Sequence, residues 1–143
     1  MQPWEQFMRK YPSGEVMYSI DGEYFGLIRI NALNVLCGYA KLPENHPYIG
    51  LDLYDIMHVN NPLYELDVHG GVTFADYIGD GYATGFGCAH VGDYVIGFDC
   101  AHTGDYVPSF NSYKYSLDVW RDEAFVIDEL KRLTEQLRES EVH

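Results

Sequence analysis

Two runs near the start of the chain, YFGLIRI (residues 24–30) and VLCGYAKL (residues 35–42), are short and rich in β-forming residues. They flank Asn31-Ala32-Leu33-Asn34, and that order predicts a hairpin. PENHPYIGLDLYDI (residues 43–56) carries two prolines and a glycine and predicts a long loop with no more than a helical turn. In YELDVHGGVTF (residues 64–74) Leu66 and Val68 alternate with Asp67 and His69. This predicts a half-buried strand interrupted at Gly70-Gly71. Two further strand-like runs follow, at residues 82–90 and 94–102. RDEAFVIDELKRLTEQLRE (residues 121–139) has the period of an amphipathic helix, with Val126, Leu130, Leu133 and Leu137 as its apolar stripe. Asp122 and Glu123 suit its first turn and Arg138 its last. Its pattern is that of a helix covering a sheet, and no chemistry is assigned to it. The expected fold class is α+β: one domain, residues 1–143, with an antiparallel β-sheet and the C-terminal amphipathic helix packed on it.

One stretch is written twice. FGCAHVGDYV (residues 86–95) matches FDCAHTGDYV (residues 98–107) at eight of ten positions, twelve residues apart. A two-residue turn at Gly92-Asp93 would set Val91 opposite Tyr94 and His90 opposite Val95, making the copies neighbouring antiparallel strands. The Gly-Asp pair recurs as a turn signal at Gly104-Asp105. Residues two apart on a strand share a face, so Cys88 would share one with His90, and Cys100 with His102, while Asp99 points the other way. The repeated Cys-Ala-His is a poor zinc site. Structural zinc ligands are usually paired two to five residues apart, and in this register Cys88 faces Gly97 and Cys100 faces Gly85, so the groups do not converge. Small buried thiols are the expected state.

Composition narrows the class. The 143 residues are 47% apolar and 15% aromatic, enough for one sizeable core and incompatible with a disordered chain. No apolar run reaches the length of a membrane span, and MQPWEQFMRKY lacks a signal-peptide apolar region. Three cysteines, Cys37, Cys88 and Cys100, then read as reduced thiols in a cytoplasm, with no disulfide. A formal charge of −13 argues against gripping a nucleic-acid polymer, which runs on Lys and Arg.

Charge placement changes the picture further. No Lys or Arg occurs between Lys41 and Lys114, a stretch holding His46, His58, His69, His90 and His102 together with ten acids. A solvated acidic surface and a site for protons or a metal cation are equally good readings of that stretch. A lone histidine in a β-rich core is more often a satisfied hydrogen-bonding group than a catalyst. As a set, however, the polar groups cluster. His69 precedes two glycines, which permit close approach of a ligand or another backbone. Asp99, His102 and Asp105 fall within seven residues. An imidazole oriented by a carboxylate serves as general base, and two imidazoles can act as acid and base across a phosphoester. The same His/Asp set could hold Mn²⁺, Mg²⁺ or Zn²⁺ and activate a water. The candidate catalytic residues are therefore His69, His102, Asp99 and Asp105. The candidate ligand-binding positions are His46, on a mobile loop, with Gly70, Gly71, Thr73 and Arg121.

Three motifs in order, GYAKLPENHPYIG (residues 38–50), DVHGGVTF (residues 67–74) and IGFDCAHTGD (residues 96–105), followed by WRDEAFVIDELKRLTEQL, resemble a family of small phage and bacterial proteins. Its members read GYVGVP-x-x-HP-x-x-G, VHGG-[LI]-T-[YF] and GFDCAH-x-GD, and the likeness covers residues 38–137. The resemblance implies a compact α+β domain and a part in countering host nucleotide-signal immunity. The second copy of the repeat carries the family's Asp99 and His102. The first has Gly87 in place of the aspartate, which makes His90 a structural echo.

Two function classes stay open. One is a counter-defence hydrolase acting on a phosphodiester or nucleotide-like signal, such as a cyclic nucleotide, by His/Asp acid–base or metal-assisted chemistry. The other is a non-catalytic module that sequesters a small nucleotide-derived ligand or blocks a host protein, with the thirteen tyrosines as stacking surfaces. An acidic nucleic-acid mimic is a weaker third. The expected partner is a small nucleotide-like molecule, not a nucleic-acid polymer or a membrane. A homo-oligomer is compatible with the sequence, which does not specify the cofactor, a divalent metal being one option.

Overall fold

The computed structural model describes residues 1–54, 61–77, 93–110 and 117–141. Its order is α1 (Pro3–Lys10), β1 (Glu15–Asp21), β2 (Tyr24–Ile30), β3 (Leu36–Lys41), a 3₁₀ turn at Pro62–Glu65, β4 (Phe74–Tyr77), β5 (Tyr94–Asp99) and α2 (Glu123–Glu139). The five strands form one antiparallel sheet in the order β1-β2-β3-β5-β4. Helix α2 packs on it, so the α+β architecture expected from the sequence is the one observed. No helix among the described residues is long and apolar enough to cross a membrane.

The β2–β3 hairpin forms where its signal stands. The Asn31 carboxamide oxygen accepts from the N–H groups of Leu33 (2.9 Å) and Val35 (3.3 Å), and Asn34 turns the chain at φ 62°. Asparagine suits both roles, because its short side chain mimics a backbone turn and tolerates the left-handed region. Helix α2 starts two residues later than the sequence pattern suggests. Asp122 is its cap, accepting from Phe125 N–H at 2.9 Å. Val126, Leu130, Leu133 and Leu137 are completely buried against Ile28, Leu36, Ile96 and Phe98. At Gly38 a Cβ would come within 2.8 Å of the Phe98 ring and 2.9 Å of Val126 Cγ1, so the missing side chain sets the distance from helix to sheet. Leu130→Ala should destabilise the fold by about 2–5 kcal/mol, the usual cost of such a cavity. A urea titration showing less than about 1 kcal/mol would mean that α2 is not seated as described.

Several expectations need correction. The alternation over residues 64–74 is not a strand. Its first two residues end the 3₁₀ turn, residues 66–73 form a loop, and only Phe74 enters the sheet. Gly70 and Gly71 both have positive φ, 71° and 82°, which ends extended pairing. Strand β5 stops at Asp99, so His102 stands in the turn after it. Val95 pairs with Lys41 on one side and Asp76 on the other. The expected hairpin register, with His90 opposite Val95, involves residues outside those described. Residues 86–92 of the first copy, with Cys88, His90 and Gly92, lie outside the described residues, as do His58 and Lys114.

Candidate functional site

The turn after β5 is built around Asp105. Its backbone N–H donates to His102 O at 2.9 Å, and its carboxylate accepts the His102 N–H at 2.9 Å, closing the turn from both ends. Gly104, at φ 93°, makes this possible. Beyond the turn, Asp105 forms a parallel bridge with Val119, through Val119 N–H to Gly104 O and Tyr106 N–H to Val119 O, both 2.9 Å. That bridge carries Arg121 alongside, and its Nε–H donates to Asp105 Oδ1 at 2.8 Å.

His69 arrives from a different direction. The loop before it is zipped along α2. Gln136 bonds both the N–H (2.7 Å) and the carbonyl (2.8 Å) of Asp67, Arg132 pairs with the Asp67 carboxylate at 2.6 Å, and Glu129 accepts the His69 N–H at 2.7 Å. The His69 ring stands edge-on to Phe125, with centroids 5.0 Å apart, and Phe125 also lies under the Arg121 guanidinium at 4.9 Å. His69 Nε2 then meets both Asp105 oxygens, at 2.9 and 2.7 Å.

The Asp105 side chain is fully buried. Burial alone would raise its pKa, but hydrogen bonds from Arg121, the His102 N–H and His69 outweigh that and hold the carboxyl below its ordinary value. An ionised carboxylate only accepts, so His69 Nε2 carries the proton and Nδ1 keeps the lone pair in the neutral ring. His102 completes the group. Its ring lies 5.8 Å from that of His69, nearly perpendicular. Asp99 Oδ1 is 3.0 Å from His102 Nε2, without the alignment of a full hydrogen bond. The structure therefore brings together His69, His102, Asp99, Asp105, Gly70 and Arg121.

Three candidate positions stand apart. His46 lies in the loop after β3, with its side chain turned inward. It is buried, its Nε2–H donates to Leu137 O at 2.8 Å, and Nδ1 accepts from Tyr48 N–H at 3.0 Å. Leu137 is three turns along α2 from Phe125, about 18 Å at 1.5 Å per residue, so His46 serves the far end of the helix as a core residue. Thr73 is tied through its N–H to Gly97 O at 3.0 Å, just ahead of β4. Gly71 donates to Val68 O at 2.8 Å, and a Cβ there would meet open space. Phe125 and Glu129 were not anticipated. Their signal was present in the i, i+4 spacing on α2, but only the docked loop gives it meaning.

No protein-family model matches the chain, and no curated protein and no solved structure is significantly similar to it.

Among the described residues no three His, Cys, Asp or Glu side chains converge as a metal-binding set. Two clefts lined by described residues lie elsewhere. One of about 250 Å³ sits between α1 and the start of α2, lined by Phe7, Lys10, Trp120 and Glu123. The other, of about 290 Å³, is lined by Asp52, Asp76, Tyr77 and Tyr94. Neither includes an imidazole. Convergent, oriented ionisable groups single out the histidine cluster, where His69 and His102 are 16% and 29% exposed. Such groups are the stronger sign of chemistry, since a cleft without them offers only volume.

Cys37 and Cys100 are buried free thiols. Burial, with Asp99 adding to it, pushes Cys37 up to about 11, and burial pushes Cys100 up as well. Both should resist a thiol reagent at neutral pH in the native protein, because the thiolate is the reactive form. After denaturation three thiols should titrate. One would mean a disulfide in the chain.

Proposed function

We propose that the protein is a two-histidine hydrolase acting on a phosphodiester of a nucleotide-like signal, with His69 and His102 as the acid–base pair. The observation that carries the reading is the pair of imidazoles 5.8 Å apart, each with a carboxylate at its Nε2. A phosphodiester group fits between rings so placed, so one ring can take the proton of the attacking water or hydroxyl while the other protonates the leaving oxygen. Asp105 holds His69 in one tautomer and stabilises the imidazolium when it forms, and the Asp99 carboxylate, 3.0 Å from His102 Nε2 without a full hydrogen bond, favours positive charge on that ring by proximity. Arg121 spends its Nε–H on Asp105, leaving its terminal N–H groups as the cationic donors for phosphate oxygens. The phage setting of the family that the motifs resemble supports a signalling nucleotide as the diester, and with it a counter-defence role.

A second reading has its own support. Trp4 stacks on Tyr106 at 5.8 Å and lies 6.3 Å from Trp120, and these last two are the chain neighbours of Asp105 and Arg121. An aromatic group carried one residue along the chain from Asp105 and Arg121 suits capture of a base without turnover.

One experiment separates the two. The protein is incubated with a panel of cyclic and linear nucleotides, with and without EDTA, and the products are resolved. Cleaved nucleotide that persists in EDTA supports acid–base hydrolysis. Cleavage abolished by EDTA assigns the same residues to a metal-assisted route, and recovery of intact bound nucleotide replaces hydrolysis with sequestration.

A further inference from the structure

We infer that Gly70 is a positioning residue for His102, and that both imidazoles meet their ligand through Nδ1. The inference rests on the two-histidine reading of the site and specifies which ring atoms work in it. Gly70 follows His69 directly and has φ 71°. A Cβ built on it would lie 2.0 Å from His102 Cδ2, 2.2 Å from Nε2 and 2.5 Å from Cγ. No side chain fits there, and the His102 ring occupies the space that a side chain would take. The backbone carrying one histidine is thus the wall against which the other is set. This contact, with Asp99 at 3.0 Å, closes the Cγ–Cδ2–Nε2 edge of His102. Nε2 itself is buried although the side chain is 29% exposed, so the open part of the ring is the side of Nδ1 and Cε1. His69 is tied in the same sense: Nε2 is spent on Asp105, and no described residue bonds Nδ1. Hydrogen bonding to Asp105 puts the lone pair of a neutral His69 ring on Nδ1, and a proton on the buried His102 Nε2 facing Asp99 would put the second on Nδ1 as well.

Ring nitrogens are read directly by ¹⁵N-resolved NMR of the unliganded protein at about pH 8. The expected spectrum has the proton on Nε2 and a bare Nδ1 for both His69 and His102. A proton on His102 Nδ1 overturns the inference. The steric part is tested by Gly70→Ala with and without His102→Ala. Strain at positive φ is common to both backgrounds and cancels in the comparison. In the presence of the imidazole, Gly70→Ala should raise the unfolding constant at least about tenfold more than in its absence, the size of coupling expected for groups in contact. It should also shift the His102 nitrogen resonances. If Gly70→Ala fails to fold alone but folds together with His102→Ala, the coupling is shown in another way. Equal cost in both backgrounds refutes it. None of these measurements uses a substrate. If the spectra and the coupling come out as expected and no nucleotide is turned over, the positioning stands and hydrolysis falls.

Discussion

Asp105→Asn is expected to destabilise the protein by about 3–5 kcal/mol, the usual cost of removing one partner from a buried ion pair. The carboxylate is fully buried and accepts from three donors that the chain delivers from separate places: His69 Nε2, His102 N–H and Arg121 Nε. An amide of the same shape turns an NH₂ toward donors and leaves the Arg121 charge without its partner. The sign of the pH dependence follows from the lowered carboxyl pKa. A carboxyl whose folded value lies below its unfolded value, near 3.9, contributes stability above the unfolded value and loses it as the pH falls through the folded one. Wild-type protein should therefore lose this contribution on acidification below about pH 4, whereas the Asn variant, already without it at pH 7, should lose less. Urea titrations of both proteins at pH 7 and in acid decide the matter. A variant as stable as wild type at pH 7 would mean that the turn, the bridge to Val119 and the His69 loop hold together without the carboxylate.

How far the sequence revealed this site depended on the range of each contact. Asp99, His102 and Asp105 were legible as a group because they share one turn. The β2–β3 hairpin and α2 were legible because side-chain alternation and a 3.6-residue apolar stripe are local patterns. The alternation around His69 misled for a physical reason. Leu66 and Val68 are buried in the core, but Asp67 and His69 are bonded by Gln136 and Glu129 of α2. An extended loop laid along a helix has the same two-residue period as a strand, without the ladder. Strand β1 was passed over, although Val16, Met17, Tyr18 and Ile20 precede a turn at Gly22, whose φ is 58°. The meeting of Arg121 with Asp105 was not legible, because it depends on a bridge between residues fourteen apart. His46 failed most plainly. A histidine between prolines in a loop looked available, and nothing local announced that it would bond a carbonyl at the far end of α2.

His102→Ala and His69→Ala should each lower the rate by about 10²–10⁴, the span that general acid–base groups usually supply. Their effects on stability should differ, and that difference makes the test specific. Removing the His69 ring takes one of the three donors from Asp105 and the edge contact from Phe125, so this variant should melt at a lower temperature. Removing the His102 ring leaves its backbone N–H on Asp105; it vacates the space over Gly70 and the edge contact with His69, and it breaks no full side-chain hydrogen bond. That protein should melt close to wild type while losing the same order of activity. His90, outside the described residues, is the control. Its copy of the repeat has Gly87 where Asp99 stands beside His102, so His90→Ala should cost stability or nothing, and no activity beyond that. Rate and melting temperature for the three variants together decide the assignment. If His90→Ala and His102→Ala behave alike in both, the two copies are equivalent and the asymmetry drawn from Asp99 fails. If no histidine variant alters function while Trp4→Ala or Tyr106→Ala does, the aromatic group holds the ligand and the imidazoles serve the fold alone.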